Sequence, residues 1–235
     1  MPRRLGLLLA LAVALLAIPA SASAEPYFLL SDERTWTRSA FVDFATPVRA
    51  GPNLGATKIA QLRPATFHGR AEVVGVLGLR ELDGRSWLRI RFPGLGRRVG
   101  WVPQRALSAP RLHRTLVVVD RGALELRVLR DGKVVLRVPV GVGASASPTP
   151  PGRYYIRERL ALPNSSSIYG ALAFGTSAFS RYRTDWPGGG QVGIHGTNQP
   201  ELIPGRISNG CVRLHNKDVL RLAGLIEVGA PLRIK

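Results

Sequence analysis

Short extended segments separated by turn residues are the feature of this sequence that most limits its fold. From residue 41 onward, runs of apolar or alternating residues are broken by Gly, Pro, Asn and Asp. Residues 86–92 (SWLRIRF) alternate as a half-buried strand does. Asp131 and Gly132 lie between two further runs, and Asp-Gly is a strong signal for a two-residue β-hairpin. Only residues 217–223 are typical of a helix. We therefore predict a mainly β protein with one short helix.

The first 24 residues are typical of a secretory signal peptide rather than of a folded segment. Arg3 and Arg4 precede a long apolar run, and residues 22–24 (ASA) form the small-x-small pattern that signal peptidase accepts. The alternative is an uncleaved anchor helix, since residues 5–24 approach the roughly 20 residues that a bilayer span needs. We expect cleavage after Ala24 and secretion to the cell wall or periplasm, without stable membrane insertion.

The composition indicates a folded and strongly basic chain. Hydrophobic residues make up 45% of the sequence, and the 211 residues left after cleavage suffice for two small domains. The formal net charge is +18, and 29 of the 33 cationic residues are arginines spread along the whole chain. A secreted protein rarely meets chromosomal DNA, so we expect attraction to wall polyanions and no nucleic-acid partner. The oligomeric state stays open.

Residues 41–107 resemble a bacterial SH3-like domain. The segments VRAGPN (48–53), WLRIRF (87–92) and GWVP (100–103) occur in the order found in such domains. The resemblance implies a small β-barrel that binds wall peptides or positions a neighbouring enzyme, and the alternative is a structural spacer. Residues 25–40 would then form a leader segment in front of it.

Cys211 is the only cysteine of the chain, so it cannot form an internal disulfide. It is either a buried small hydrophobe or a reactive thiol. A thiol must lose its proton before it attacks a carbonyl, and a nearby imidazole is the usual proton acceptor. His195 precedes Cys211 by 16 residues, enough for a strand, a turn and a return. Gly210 beside the thiol leaves room for a substrate. These residues alone leave both interpretations open.

The residues around this pair resemble the L,D-transpeptidase catalytic domain family (YkuD-like). The family signature is a His-Gly segment followed by Ser-x-Gly-Cys-x-Arg, and residues 193–222 (GIHGTNQPELIPGRISNGCVRLHNKDVLRL) match it. TPPGRYYI (149–156) and YGALAFGTSAFS (169–180) fit the same family. The resemblance covers residues 113–235 and implies a β-rich catalytic domain whose chemistry needs no cofactor. The dispersed histidines and single cysteine also give no metal-ligand spacing.

The resemblance implies a role for each residue of the motif. Cys211 would be the nucleophile and His195 the general base, oriented by a backbone carbonyl near Gly196. Backbone amides of residues 209–211 would form the oxyanion hole. The implied catalytic residues are Cys211, His195, Gly210, Ser208 (loop support) and Arg213 (steadying the site or a substrate carboxylate). The implied substrate-binding residues are Gly196, Thr197, Asn209 and Tyr169.

Several of these assignments have structural alternatives. Arg213 would otherwise only brace the fold, Thr197 shape a turn and Tyr169 pack the cleft. Asn209 departs from the family, in which many members carry a histidine at this position. An amide donates hydrogen bonds but cannot titrate, so an acid–base role is lost there.

Other residues are expected outside the site core. His68 and His113 lie outside the motifs and are expected at the surface. Residues 161–190 show little periodicity and are expected to form a loop over the site.

The resemblance implies acyl transfer on peptidoglycan stem peptides. Cys211 would attack the diamino-acid carbonyl of a donor tetrapeptide, expel the terminal D-alanine and hold a thioester. A stem-peptide amine as acceptor would give a cross-link, water would make the protein an L,D-carboxypeptidase, and a protein lysine would attach a lipoprotein. The sequence leaves these acceptors open. Cysteine endopeptidases of the wall usually place Cys before His, and sortases separate His and Cys much further. The non-enzymatic alternative is a wall-binding protein with a degenerate second domain, against which the intact motif argues.

Overall fold

The computed structural model describes residues 26–96, 98–162, 166–182, 184 and 188–235. The predicted signal peptide at residues 1–24 lies outside these ranges. Within them, no helix is both long and apolar enough to cross a membrane.

The described chain forms two consecutive β-sheets, and the predicted mainly β fold is confirmed. The strands of the first sheet are β1 (Tyr27–Leu29), β2 (Thr37–Phe41), β3 (Thr46–Arg49), β4 (Lys58–Leu62), β5 (Val73–Leu82), β6 (Arg85–Arg91), β7 (Val99–Pro103) and β8 (Arg111–His113). Their order is β4-β3-β7-β6-β5-β2-β8, with β1 beside β5, and all pairs are antiparallel. β1 and most of β2 lie in the predicted leader segment 25–40. The SH3-like identity of residues 41–107 stays a prediction.

The second sheet carries the family motif. Its elements are β9 (Thr115–Asp120), β10 (Glu125–Arg130), β11 (Lys133–Pro139), β12 (Gly141–Gly143), β13 (Gly152–Ala161), β14 (Leu172–Phe179), β15 (Gln191–His195), β16 (Gly205–Ser208), β17 (Val212–Arg213), the helix α1 (Asn216–Ala223) and β18 (Pro231–Ile234). The strand order is β11-β10-β9-β18-β13-β14-β15-β17-β12-β16. Three neighbouring pairs are parallel, namely β9 with β18, β12 with β16, and β15 with β17.

Two local patterns of the sequence form the predicted structure. In β6 and the residue after it, Leu88, Ile90 and Phe92 are buried in the core of the first sheet, but Trp87 of the opposite face is buried as well, so the strand is not half-buried at that position. Asp131 and Gly132 join β10 to β11 with φ angles of 49° and 78°. Both angles are positive, as the two central residues of a type I′ turn require.

The expectation of a loop throughout residues 161–190 is wrong, because β14 lies within this segment, between β13 and β15. Most of β14 is buried, but its sequence (LAFGTSAF) contains Gly, Thr and Ser, which hide the hydrophobic pattern. The hydroxyls are satisfied inside the sheet: Thr176 Oγ1 donates to the Val192 carbonyl (2.7 Å) and Ser177 Oγ accepts from the Tyr155 N–H (3.1 Å). A buried strand that satisfies its own polar groups gives no periodic signal.

Carboxylates join the two sheets. Glu33 accepts two hydrogen bonds from Arg91 of the first sheet (2.8 and 3.0 Å) and one from Arg153 of the second (3.3 Å). Glu72, before β5, accepts from Arg157 Nε on β13 (2.8 Å). Since both partners of the Glu72–Arg157 pair are nearly buried, this junction is more than a surface contact.

The expectation that His68 and His113 are surface residues is wrong for His113 and right for His68, which is exposed but also contacts the second sheet. His113 is buried and its Nε2 lies 2.7 Å from Ser39 Oγ. His68 Nδ1 lies 3.0 Å from Glu158 Oε1 of β13, and its side chain is 30% exposed. Both residues occupy the region where the two sheets meet, which strand periodicity does not reveal.

The Glu72–Arg157 pair allows a test of the junction. Glu72→Ala should lower the free energy of unfolding by about 3–5 kcal/mol, because it leaves the Arg157 charge buried without its partner. Glu227→Ala removes the partner of Arg111 from a pair whose side chains are 67% and 49% exposed. This control should cost less than about 1 kcal/mol. Urea denaturation measures both variants, and equal costs would contradict the importance of the buried pair.

Candidate active site

The parallel pairing of β15 and β17 brings the predicted nucleophile and base together. Ile194 pairs with Val212, and His195 with Arg213. Cys211, immediately before β17, therefore lies beside Gly193, and the Gly193 N–H lies 3.3 Å from the Cys211 Sγ. A Cβ atom built at Gly193 would lie 3.7 Å from His195 Cδ2 and 3.8 Å from Cys211 Sγ. The imidazole and the thiol thus share the side of the sheet that faces Gly193.

His195 is buried and held in one orientation. Its Nδ1 lies 2.6 Å from the Gly196 carbonyl, so Nδ1 carries the proton that is donated to this oxygen. Nε2 of the neutral ring is then free to accept a proton. Burial lowers the pKa of His195 to about 4, although the hydrogen bond to Gly196 opposes the shift, and the charge of Arg213 lowers it further. At neutral pH the ring is an unprotonated base.

Cys211 is a half-buried, uncharged thiol at rest. Burial raises the pKa of the Cys211 thiol above its ordinary value, while the Gly193 N–H and the charge of Arg213 act in the opposite direction. The shifts of Cys211 and His195 both oppose charge separation. The resting pair is therefore thiol and neutral imidazole, not thiolate and imidazolium.

Ser208 and Gly210 shape the turn that presents the thiol. The Ser208 hydroxyl donates to the Cys211 carbonyl (2.6 Å) and accepts from the Gly210 N–H (3.2 Å). Gly210 has a φ of 117°, a conformation that residues with a side chain rarely adopt. The Asn209 carbonyl accepts from Ser147 Oγ (2.9 Å), which ties the turn to the segment after β12.

Arg213 lies on the strand that follows the thiol, paired with His195. Its Nη1 donates to Gln199 Oε1 (3.2 Å). Its Nε is buried and finds no hydrogen-bond partner among the described residues. The positive charge of Arg213 acts on both His195 and Cys211.

A cavity of about 260 Å³ opens onto the thiol. Six of the nine predicted site residues line it, and they are Tyr169, His195, Ser208, Asn209, Cys211 and Arg213. Tyr169 packs edge-on against the His195 ring, with ring centroids 5.0 Å apart and an interplanar angle of 71°. The structure thus brings most of the predicted site to one cavity.

Gly196 and Thr197 lie behind this cavity rather than in its lining. Thr197 is buried, and its hydroxyl accepts from the Gln199 N–H (3.1 Å), so it shapes the turn after β15. The Gly196 N–H donates to the Leu172 carbonyl (3.1 Å). Contact of either residue with a substrate remains a prediction.

Asn216, the first residue of α1, supports the site through its side-chain amide. Its Oδ1 accepts from the N–H groups of Ala171 and Thr197 (both 3.1 Å). α1 begins at Asn216 itself, and His215 is the N-cap residue. The amide therefore does not cap the helix. It fixes the segment that follows Tyr169 and the segment that follows His195. A local pattern cannot distinguish these uses of an asparagine.

Gly193 and Gln191 were also missed, because neither has a signal of its own in the sequence. Gln191 lines the cavity, and its Nε2 donates to Glu158 Oε1 and the Thr176 carbonyl (both 3.1 Å).

Across the described residues, no three or more His, Cys, Asp or Glu side chains are grouped as metal ligands would be.

A thiol, an oriented neutral imidazole and a glycine turn at two neighbouring interior strands are the elements of a site for acyl transfer through a cysteine. The sequence model of the L,D-transpeptidase catalytic domain (YkuD) matches residues 114–234. The chain belongs to this family.

Two curated relatives and a solved structure show the extent of the similarity. The putative L,D-transpeptidase YkuD of Bacillus subtilis is 33% identical over 118 residues, which are 50% of this chain and 64% of that protein. The putative L,D-transpeptidase YqjB of the same organism is 33% identical over 128 residues, 50% of this chain and 69% of that protein. The catalytic domain of an Enterococcus faecium L,D-transpeptidase is 25% identical, with a TM-score of 0.38, and 52% of this chain and 96% of that one are covered. The chain spans less than two thirds of the length of B. subtilis YkuD.

Gly193 offers a test of the space between thiol and imidazole. A Cβ atom there meets only ordinary van der Waals distances, so Gly193→Ala should keep near-normal reactivity of Cys211. Gly193→Val adds methyl groups against both reacting side chains and should slow alkylation of Cys211 by about tenfold or more. The rate of iodoacetamide labelling, followed by mass spectrometry on folded protein, compares the two. Equal rates would show that Gly193 is not a spacer in the site.

The pKa of His195 predicts a pH dependence of stability. The ring should titrate at about 4 in the folded protein. The unfolded imidazole binds its proton near the ordinary value of 6.5, so protonation favours unfolding as the pH falls from 6.5 towards 4. Burial lowers the pKa of His113 too, so protonation of His113 also lowers the free energy of unfolding as the pH falls. Urea denaturation of wild type and His195→Asn between pH 4 and 8 isolates the share of His195. A constant difference between the two proteins would refute the depressed pKa.

Proposed function

We propose that the protein is an L,D-transpeptidase that acts on peptidoglycan stem peptides through a thioester on Cys211. The observation that carries the proposal is the placement of the Cys211 thiol and the neutral His195 imidazole around Gly193, in a chain of this family. The predicted secretion signal agrees with a substrate outside the cytoplasm.

The first half-reaction would form the thioester. Nε2 of His195 takes the thiol proton as Sγ attacks the carbonyl carbon of the donor peptide. The C–N bond to the terminal D-alanine breaks, and its nitrogen takes the proton from the imidazolium. Because the resting pair is uncharged, the thiolate would form only as the attack begins.

The turn before β17 would stabilise the negative charge on the attacked oxygen. The N–H groups of residues 209–211 are the proposed donors. The Gly210 N–H already donates to the Ser208 hydroxyl, so an oxyanion would compete with that oxygen for it. Ser208 would thus hold the donor in place before the reaction.

The cavity lining supports a substrate with a carboxylate. The guanidinium of Arg213, which lines the cavity, is the proposed contact for such a group. Tyr169 and Asn209 would bind the peptide beside the thiol, since both line the same cavity. Asn209 can only donate and accept hydrogen bonds, so His195 is the proton carrier.

The second half-reaction would transfer the acyl group to an acceptor. The nitrogen of an amine attacks the thioester carbonyl and His195 takes the amine proton. The C–S bond then breaks, and the leaving sulfur takes this proton from the imidazolium to restore the thiol. Water in place of the amine would make the protein a carboxypeptidase. The SH3-like segment would bind the wall or position the catalytic domain.

Muropeptides that carry tetrapeptide stems test the proposal. Wild-type protein should release D-alanine and carry an acyl group on Cys211, detected by intact-protein and peptide mass spectrometry. Cys211→Ala should lose both signals, because no other thiol exists in the chain. His195→Asn should slow acylation by about a hundredfold or more, as loss of a general base does. A carbapenem should acylate Cys211 as well. Unchanged D-alanine release by Cys211→Ala would overturn the proposal.

A further inference from the structure

A second cavity reaches the same thiol and imidazole. Its volume is about 340 Å³, and it shares Tyr169, Gln191, His195 and Cys211 with the first cavity. Its remaining lining is mostly apolar side chains of the second sheet, among them Leu160 and Phe174. The reacting pair therefore lies where two cavities meet.

The lining of the second cavity includes a residue from a loop of the N-terminal half of the chain. His68 lies in the loop between β4 and β5, and it lines the cavity together with residues of the catalytic domain. Its side chain is 30% exposed, whereas Glu158 behind it is buried. His68 therefore forms part of the wall between the cavity and solvent.

Glu158 fixes the position of His68. Its carboxylate accepts hydrogen bonds from Thr66 Oγ1 (2.8 Å), lies 3.0 Å from His68 Nδ1, and accepts from Gln191 Nε2 (3.1 Å). The Thr66 N–H closes the loop on the Arg70 carbonyl (2.7 Å). A buried carboxylate without hydrogen-bond donors is energetically costly. The contacts of Glu158 with Thr66 and His68 therefore hold the loop against the catalytic domain.

The two cavities offer two routes to the carbonyl of a thioester on Cys211. If the acyl group occupies the first cavity after the first half-reaction, the second cavity stays open to the attacking nucleophile. The apolar lining of the second cavity suits an amine carried on an aliphatic chain and disfavours free water.

We infer that His68 is a specificity-determining residue, supplied by the first sheet, that limits which nucleophile resolves the thioester. It closes the partly exposed end of the second cavity, so that an amine on an aliphatic chain enters and bulk water does not. This inference rests on the proposed function. It gives the N-terminal half a direct part in the outcome of the reaction, beyond binding or spacing.

Partition of the thioester tests this inference. Wild-type, His68→Ala and His68→Asn proteins receive a tetrapeptide donor and a stem peptide with a free side-chain amine. Mass spectrometry measures cross-linked product against hydrolysed tripeptide. Both variants should raise the share of hydrolysis by about tenfold, because a shortened side chain admits water. His68→Asn keeps an amide donor for Glu158, so the test stands if His68→Ala does not fold. Arg70→Gln, on the same loop but outside the cavity lining, is the matched control and should keep the wild-type ratio.

Two readouts separate the possible failures. The single-turnover rate of D-alanine release should change less than about twofold in the His68 variants, because His68 does not line the first cavity, where the donor is proposed to bind. A fall in this rate with an unchanged product ratio would assign His68 a purely structural role and overturn the inference. An unchanged ratio in folded variants of an acylating enzyme would overturn it as well. Absence of a thioester in the wild-type protein would overturn the proposed function and this inference together.

Discussion

The parallel pairing of β15 with β17 is the constraint on which the site depends. This register, with Ile194 opposite Val212, places a glycine beside the thiol and lets one N–H reach the sulfur. A shift by one residue would turn either Cys211 or His195 to the opposite face of the sheet. The buried strand β14 fixes β15 from its other side, and the Ser208 hydrogen bonds fix the turn before β17. The pair is thus positioned by the sheet and not by a direct bond between its members.

The distribution of acidic residues explains how the two sheets stay together. The chain has 15 Asp and Glu residues against 33 Lys and Arg, so acidic groups are scarce. Four of them, Glu33, Glu72, Glu158 and Glu227, bind partners across the junction of the two sheets. An arginine-rich surface alone would repel itself, and each carboxylate at the junction offsets part of that repulsion where the sheets meet. The junction matters for the site because Glu158 also binds Gln191, the first residue of β15.

Local chemistry made much of the fold and the centre of the site predictable. The apolar face of β6 and the Asp131-Gly132 turn each depend on a few neighbouring residues, and both formed as expected, although Trp87 on the other face of β6 is buried too. The proximity of Cys211 and His195 could be expected because the family resemblance implies that the two residues act together. The structure brings them together through the pairing of β15 with β17. Residues whose use depends on distant partners were not predictable: β14 hides its pattern behind satisfied hydroxyls, and Asn216 bonds two loops. His68 reaches Glu158 across 90 positions of sequence. No periodicity or short motif reports a contact of this kind.

Burial accounts for both the stability of the resting thiol and its reactivity. Because desolvation lowers the pKa of His195 and raises the pKa of Cys211, both groups are uncharged until a ligand arrives. The thiolate is the form that oxidants and adventitious electrophiles attack, so a neutral thiol is protected from them. In the extracytoplasmic compartment proposed for this protein, that protection would preserve the lone cysteine while no substrate is bound. Arg213 contributes in two ways, since its charge disfavours the imidazolium at rest and offers a partner to an anionic ligand. A bound carboxylate would neutralise that charge and make His195 a stronger base at the moment when the substrate carbonyl is in place.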